Sequence, residues 1–442
     1  MSARTKRAER LSAIEAVLQD LLPRLALAPA RTGRPEVLSA ALLWTGMLVC
    51  IVRGQGSQLA IWRLLSQAGL WHHELVPISA EGVRKRLLRS GPTQLETVFT
   101  QVTAELIADS SGDQTLAPFA TGVYALDDTS LAQVARHLPR LRETERSADV
   151  LLPGKLSVAF DVRRQLFAQV RPTELPHQNP KAAAPALYRA LPPASLLLVD
   201  LGYFSFPLFD QLSDDGYWFI SKQRRRTSAT VVHTLVDQPG LTDELIWLGA
   251  YRADQARHLV RRITVTITTT PYVYLTNVLD PGLLSAADVV QLYGRRWDIE
   301  LAFKSLKQHL GLGVVWSAHW ELILTQVWGA LLIAQIASAL RQQIALRAGI
   351  DLVDVSLALL LRELPQVVRR GEDDIVGIIA GLPVTPGGFL RKARRVQYVI
   401  PVPKRIIPPP DDLVTIRMGR SSGRKCAADR SNRPRIGVPA GG

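Results

Sequence analysis

The chain has 442 residues, 47% of them hydrophobic and 21% charged, which is enough apolar content for a large core shared among roughly two to four domains. Its formal net charge of +14 points to a polyanionic partner, nucleic acid before anionic membrane; a high-arginine composition is the ordinary alternative. The two cysteines, Cys50 and Cys426, form no CxxC or Cys/His cluster, which argues against a structural zinc or a disulfide framework and suits a reducing cytoplasm.

Residues 1–115 read as helical. The opening "MSARTKRAER" is polar and basic, unlike a secretory signal. Pro35 is placed to open an apolar helix running through Val52, a second helix covers about Ser57–Gln67 until Gly69 breaks it, and a third runs from Ala80 to Leu88 with Ser79 as N-cap. That third helix carries Arg84, Lys85, Arg86 and Arg89. Helix, break and basic helix are compatible with a helix-turn-helix DNA reader, and equally with a solvated basic face.

From about residue 118 the pattern changes to strands. "GVYALDD" (122–128) is a short apolar run ending in two carboxylates, and "KLSVAFDVRRQLFAQVRPT" (155–173) reads as two strands joined at a polar turn around Arg163 and Arg164. A helix near 181–190, the buried strand of "SLLLVDLGYFS", a helix over 206–213 and the strand "YWFISK" complete an α/β alternation. Residues 223–282 alternate and are rich in Thr, Val and Tyr, as half-exposed antiparallel strands are, and predict a β-rich module inserted in the α/β domain.

Next comes "YGRRWDIELAFKSLK" (293–307). On one helix, Tyr293, Arg296, Glu300, Lys304 and Lys307 fall in an arc of roughly 80°, beside an apolar stripe of Leu292, Ile299, Phe303, Leu306 and Leu310. Taken alone this is an ordinary solvated face with a Glu300–Lys304 pair, yet donors gathered around one carboxylate also suit phosphate. The uncharged run Leu322–Leu340 is long enough to span a bilayer, but Thr325, Gln326, Gln335 and Ser338 interrupt it; it and Leu38–Val52 read as buried helices, with no membrane partner. Another apolar helix lies near 351–369, and the Arg-, Pro- and Gly-rich end reads as an extended segment and a disordered basic tail.

Asp127 and Asp200 each directly follow an apolar strand, where ligands gather in α/β sheets; an Asx turn is the ordinary use of Asp200-Leu201-Gly202. Strand alternation aims only one of Asp127 and Asp128 correctly, and Asp127, directly after the apolar run, is favoured. With Glu300, these carboxylates make an oxygen-only set suited to Mg²⁺, and two such ions clamp the attacking and leaving oxygens of a phosphoryl displacement. Arg296, Lys304 and Lys307 would then hold phosphates, with Tyr293 as a further donor. Lys222 and Arg224–Arg226 could track the DNA backbone.

Asp127, Asp200 and Glu300 resemble the DDE triad of transposases with a ribonuclease H-like core. Tyr293, Arg296, Glu300 and Lys307 match in type and spacing the YREK signature of bacterial insertion-sequence family 4 transposases. "LDDTSL" and "VDLGYFS" are similar to that family's first and second Asp motifs, and the resemblance covers roughly residues 118–345. It implies an α/β chain: a ribonuclease H-like mixed-sheet core (116–222 and 283–345) interrupted by a β-rich insertion (223–282). Outside the resemblance, the chain reads as a helical N-terminal DNA-binding domain (1–115), a C-terminal helical region (346–395) and a basic tail (396–442). The resemblance also implies a flipped base, for which Trp247, and next Trp297, are stacking candidates. It implies cut-and-paste transposition with two Mg²⁺ ions, Mn²⁺ substituting, through end cleavage, a hairpin and strand transfer. The partners implied are double-stranded DNA, as terminal inverted repeats and target, and a second copy on paired ends, in a bacterial cytoplasm at the nucleoid. A ribonuclease H-like nuclease without strand transfer, and a non-catalytic DNA-binding derivative, are the other readings.

Overall fold

A computed structural model describes residues 37–131, 153–249, 255–367 and 374–417, apart from positions 72, 268, 394, 396 and 397, together with Glu15, Val17 and Leu18. The first helix, α1 (Ala40–Val52), begins under the Ser39 N-cap, whose hydroxyl accepts from the Leu42 amide. Pro35, expected to open it, lies outside the described residues. Helix α2 (Gln58–Arg63) runs on through a π turn to Ala68, and α3 (Ala80–Ser90) starts on the Ser79 cap. The connector between them spans Gly69–Ser79, well beyond the three- or four-residue turn of a helix-turn-helix, so the pair lacks that geometry. Arg84 is forked onto Glu81 on the same helix. Helix α4 covers Thr93–Asp109.

The strands follow in chain order: β1 (Val123–Ser130), β2 (Lys155–Asp161), β3 (Leu166–Thr173), then α5 (Pro180–Tyr188), β4 (Leu196–Val199), α6 (Phe206–Asp214) and β5 (Trp218–Lys222). β2 pairs antiparallel with β1 and β3 antiparallel with β2, whereas β4 and β5 run parallel to β1. Antiparallel strands followed by parallel strands reached through helices, in the order β3-β2-β1-β4-β5, make a ribonuclease H-like mixed sheet. The four antiparallel strands of the insertion, β6 (Ala229–Gln238), β7 (Leu241–Leu248), β8 (Val260–Ile267) and β9 (Thr270–Thr276), do not form a module with a sheet of their own. β9 pairs with β5, so one nine-stranded sheet runs on as β5-β9-β8-β7-β6. The free edge of β5 takes the return strand, which satisfies backbone groups that would otherwise face water.

Helices α7 (Ala286–Arg295), α8 (Trp297–His309), α9 (Trp320–Ala348), α10 (Leu357–Val367) and α11 (Ile375–Ala380) complete the described elements. The apolar window of α9 is 89% buried inside the protein, as expected of a core helix. Its polar residues have defined partners. The Gln335 carboxamide accepts from the Phe167 amide and donates to the Phe167 carbonyl, and Gln326 donates to the carbonyls of Gly311 and Val314. Helices α1 and α4 pack on α9, and one apolar cluster runs from Trp44 through Val123 and Ile299 to Leu390. The N-terminal helices therefore share a core with the region expected to be separate from them.

The first part of the Pro/Arg-rich end is extended, as its composition suggests, and it is fastened to the insertion. Tyr398–Arg417 forms an extended strap across the insertion: the Ile407 amide donates to the Leu235 carbonyl, and Gln238 bonds both Val402 and Lys404. Just before β8 the Leu259 amide donates to the Thr415 carbonyl. β6 is the outermost strand, and a proline-rich chain with few donors of its own can cover such an edge without extending the sheet. Residues 418–442 lie outside the described residues.

Candidate active site

The register of the parallel strands builds the site. Leu126 of β1 lies opposite Val199 of β4, and Val199 lies opposite Ser221 of β5. The next positions are Asp127, within β1, Asp200, just past β4, and Lys222, the last residue of β5, so the three fall in one row across neighbouring strands. In-register neighbours on parallel strands are about 4.8 Å apart and project to the same face. Asp200 precedes a 3₁₀ turn over Leu201–Tyr203, and its side chain makes no capping hydrogen bond, so the ordinary use of an Asp in such a turn is not realised.

Asp127 and Asp128 have different surroundings. Asp128 accepts from the Lys155 ammonium at 2.5 Å and from the Tyr203 hydroxyl at 2.8 Å, and both of those partners are buried. Asp127 accepts the Asp128 amide at 2.8 Å on one oxygen and Arg296 at 3.2 Å on the other. Asp128 therefore ties β1 to the turn that follows Asp200, while Asp127 faces the helices.

The continuous helix expected over 293–307 is broken. α7, opened by a reciprocal Ser285–Asp288 capping box, ends at Arg295, and α8 starts at Trp297. Asp298 accepts from Arg295 and from Gln165 of the β2–β3 turn, at 2.9 and 2.8 Å, and so fastens the start of α8 to the sheet. The apolar stripe Leu292, Ile299, Phe303, Leu306 and Leu310 is buried as its spacing predicts. The polar face, however, is not a plain solvated one. Tyr293 is buried against Tyr274, at 5.3 Å between ring centroids. Glu300 pairs with Arg296 at 2.6 Å instead of with Lys304.

Arg296, at the break, thus joins Asp127 to Glu300. Burial opposes its charge, but the Glu300 hydrogen bond, Tyr293, Asp200 and Asp127 together hold its pKa above the ordinary arginine value. Burial is also the main cause that lifts the Asp127 carboxyl to about 6; Asp200 and Glu300 add to the rise, while the Asp128 amide and Arg296 oppose it. Burial raises the Tyr293 hydroxyl and lowers the Lys307 ammonium. Lys304 and Lys307 of α8 line an open depression with Asp127, Asp128 and Glu300. The expected residues Asp127, Asp200, Glu300, Tyr293, Arg296, Lys304 and Lys307 are therefore gathered at one end of the sheet.

The two tryptophans are placed differently. Trp297 is 56% exposed, next to Arg296. Trp247, the first candidate, lies on β7, four strands from β4 and roughly 19 Å away across the sheet. The Arg417 guanidinium covers its ring at 4.4 Å, so a base could stack there only after Arg417 leaves. Lys222 was grouped with Arg224–Arg226 on sequence; its place beside Asp200 follows from register alone.

Among the described residues, no three His, Cys, Asp or Glu side chains close into a metal-binding group, because Arg296 stands between Asp127 and Glu300. The donor set is nonetheless all carboxylate, two of them bridged by Arg296 and the third on the neighbouring strand, which fits a hard divalent cation in kind.

The raised Asp127 pKa has a consequence for stability. An acid with a pKa near 6 folded and 3.8 unfolded binds more protons in the native state between those values. Wild-type stability therefore falls as pH rises through that window. Asp127→Asn is expected to stabilise the chelator-treated protein by about 1–3 kcal/mol at pH 7, with the gain vanishing near pH 4. Denaturant melts across that range measure it; a variant no more stable than wild type at pH 7 would count against a strained carboxylate.

Residues 146–336 match the family model described as the transposase DDE domain. The matched stretch is less than half of the chain; it holds Asp200, Tyr293, Arg296, Glu300 and Lys307 and begins after Asp127. No curated protein matches the chain. Among solved structures the chain is similar to the piggyBac transposase in its synaptic complex with hairpin DNA. The identity is 8% and the TM-score 0.42, over 85% of this chain and 84% of that one; so loose a likeness carries no argument. The family match supports a transposase of the DDE type.

Proposed function

We propose that the protein is a transposase of the insertion-sequence family 4 type, which cuts double-stranded DNA at the terminal repeats of a bacterial mobile element and joins the freed ends to target DNA. The observation that carries this reading is the side-by-side placement of Asp127 and Asp200, with Glu300 brought to them across Arg296. Asp127, Asp200 and Glu300 would hold two Mg²⁺ ions, with Mn²⁺ as substitute. When bound, such ions polarise the scissile phosphate and lower the pKa of the attacking water or 3′-OH.

The remaining chemistry belongs to the chain. Arg296 would exchange its bonds to Asp127 and Glu300 for a phosphate, which its planar fork suits, and the Tyr293 hydroxyl, kept protonated by burial, can only donate or accept a neutral hydrogen bond there. Lys304 and Lys307 supply positive charge along the outer wall of the depression, so the strand lies over the carboxylates with its phosphates neutralised. Trp297 is the open aromatic surface beside Arg296 for a base displaced from the stack. In this reading a hairpin intermediate, a dimer acting on paired ends and a place at the bacterial nucleoid accompany the activity.

The test uses the full chain, Mg²⁺, duplexes carrying the DNA that borders the coding sequence, and a supercoiled target. Joined products are expected. Cleavage without joining would make the protein a nuclease, and binding without cleavage a non-catalytic derivative.

A further inference from the structure

Lys222 closes β5 in the same row as Asp127 and Asp200: Val199 pairs with Ser221, so the next positions are Asp200 and Lys222. The side chain is half-buried. Its ammonium lies 5.4 Å from the ring centre of Tyr293 and 5.7 Å from that of Tyr272. The Tyr293 ring itself adjoins Arg296, 5.9 Å from its centre. Lys222 thus shares a wall with two residues of the site. Among the described residues its ammonium enters no ion pair, unlike Lys155, the other lysine of this region of the sheet, which is spent on Asp128.

An ammonium held against two aromatic rings is fixed in direction but still short of an anion. The anion that this place offers is a DNA phosphate. Lys304 and Lys307 stand on α8, which packs on β1, whereas Lys222 stands about 10 Å from Asp127, two strand spacings away on the far side of Asp200.

Building on the transposase reading, we propose that Lys222 is a phosphate-binding residue of the catalytic centre, gripping the DNA strand on the β5 side of Asp200, opposite Lys304 and Lys307. The cleaved strand then crosses the strand ends between two cationic walls. The grip on one side is a single lysine aimed by Tyr272 and Tyr293, and the grip on the other is the lysine pair of α8.

Lys222→Met keeps most of the stem over the tyrosine rings and removes the charge; Lys222→Arg keeps the charge. With duplexes of the bordering DNA in Mg²⁺, Lys222→Met is expected to lower single-turnover cleavage roughly 10- to 100-fold, and Lys222→Arg to recover most of that loss. Uncharged methylphosphonates placed singly along the cleaved strand supply a second readout. At the contacted phosphate the substitution should slow the wild type and leave Lys222→Met unchanged, which a merely structural lysine would not produce. Mn²⁺ affinity of the DNA-free protein should be the same in wild type and Lys222→Met.

Wild-type cleavage with an equally fast Lys222→Met overturns the role of Lys222 alone. So does a methylphosphonate scan in which every position slows both proteins equally, or a fall in Mn²⁺ affinity that traces the effect to Asp200. A wild type that binds these duplexes but never cleaves them overturns the transposase reading, and this proposal with it.

Discussion

Glu300→Gln is expected to reduce metal-dependent DNA cleavage by at least about 10³-fold while leaving DNA binding intact. The carboxamide has the shape of the carboxylate and still offers an oxygen to Arg296, which donates to Glu300 at 2.6 Å. What it loses is the negative charge that a divalent ion requires. Removing one negative charge from a basic groove does not weaken phosphate binding, so binding and cleavage should separate. Fluorescence anisotropy on the bordering DNA and a gel assay of the same complexes read the two effects. Cleavage at the wild-type rate would remove Glu300 from the catalytic centre.

The largest expected loss of stability lies in the insertion. Arg261 is fully buried on β8 and is held by two bonds to Asp243 of β7, at 2.8 and 2.5 Å, and by one to the Leu284 carbonyl at 2.6 Å. Asp243→Ala leaves a guanidinium in the core without its counter-ion and should destabilise the protein by about 3–5 kcal/mol. Replacing both partners, Asp243→Leu with Arg261→Met, should recover most of that, because the penalty comes from the orphaned charge. Urea unfolding of the two variants decides it; a double variant as unstable as the single one would trace the loss to packing. The third bond reaches the residue before the Ser285 cap of α7, so the pair also steadies the helix that carries Tyr293.

Much of this was legible locally. The apolar stripe from Leu292 to Leu310 is buried where its helical spacing places it, and Ser79 caps its helix as its position suggests. β4 is the buried strand that its continuous apolar run describes. Such features depend on neighbours within one turn or one strand, and the residue types state them directly. The spacing of Tyr293, Arg296, Glu300 and Lys307 could be read for the same reason, since it lies within a single segment.

Tertiary structure decided what depends on distant partners. Asp128 is taken by Lys155 and Tyr203, from other elements, and that leaves Asp127 facing Arg296. Arg296 stands at a helix break fastened by Gln165 through Asp298, and no periodicity announces that contact. The insertion joins the core sheet because β5 offers an edge, and the Pro-rich strap is laid down because β6 offers another. Lys222 falls in the row of Asp200 through strand register, which changes the neighbours and the face of every side chain with a one-residue slip. The sequence by itself determined which groups could hold a metal and a phosphate; only the pairing of strands and the docking of α8 decided which of them meet.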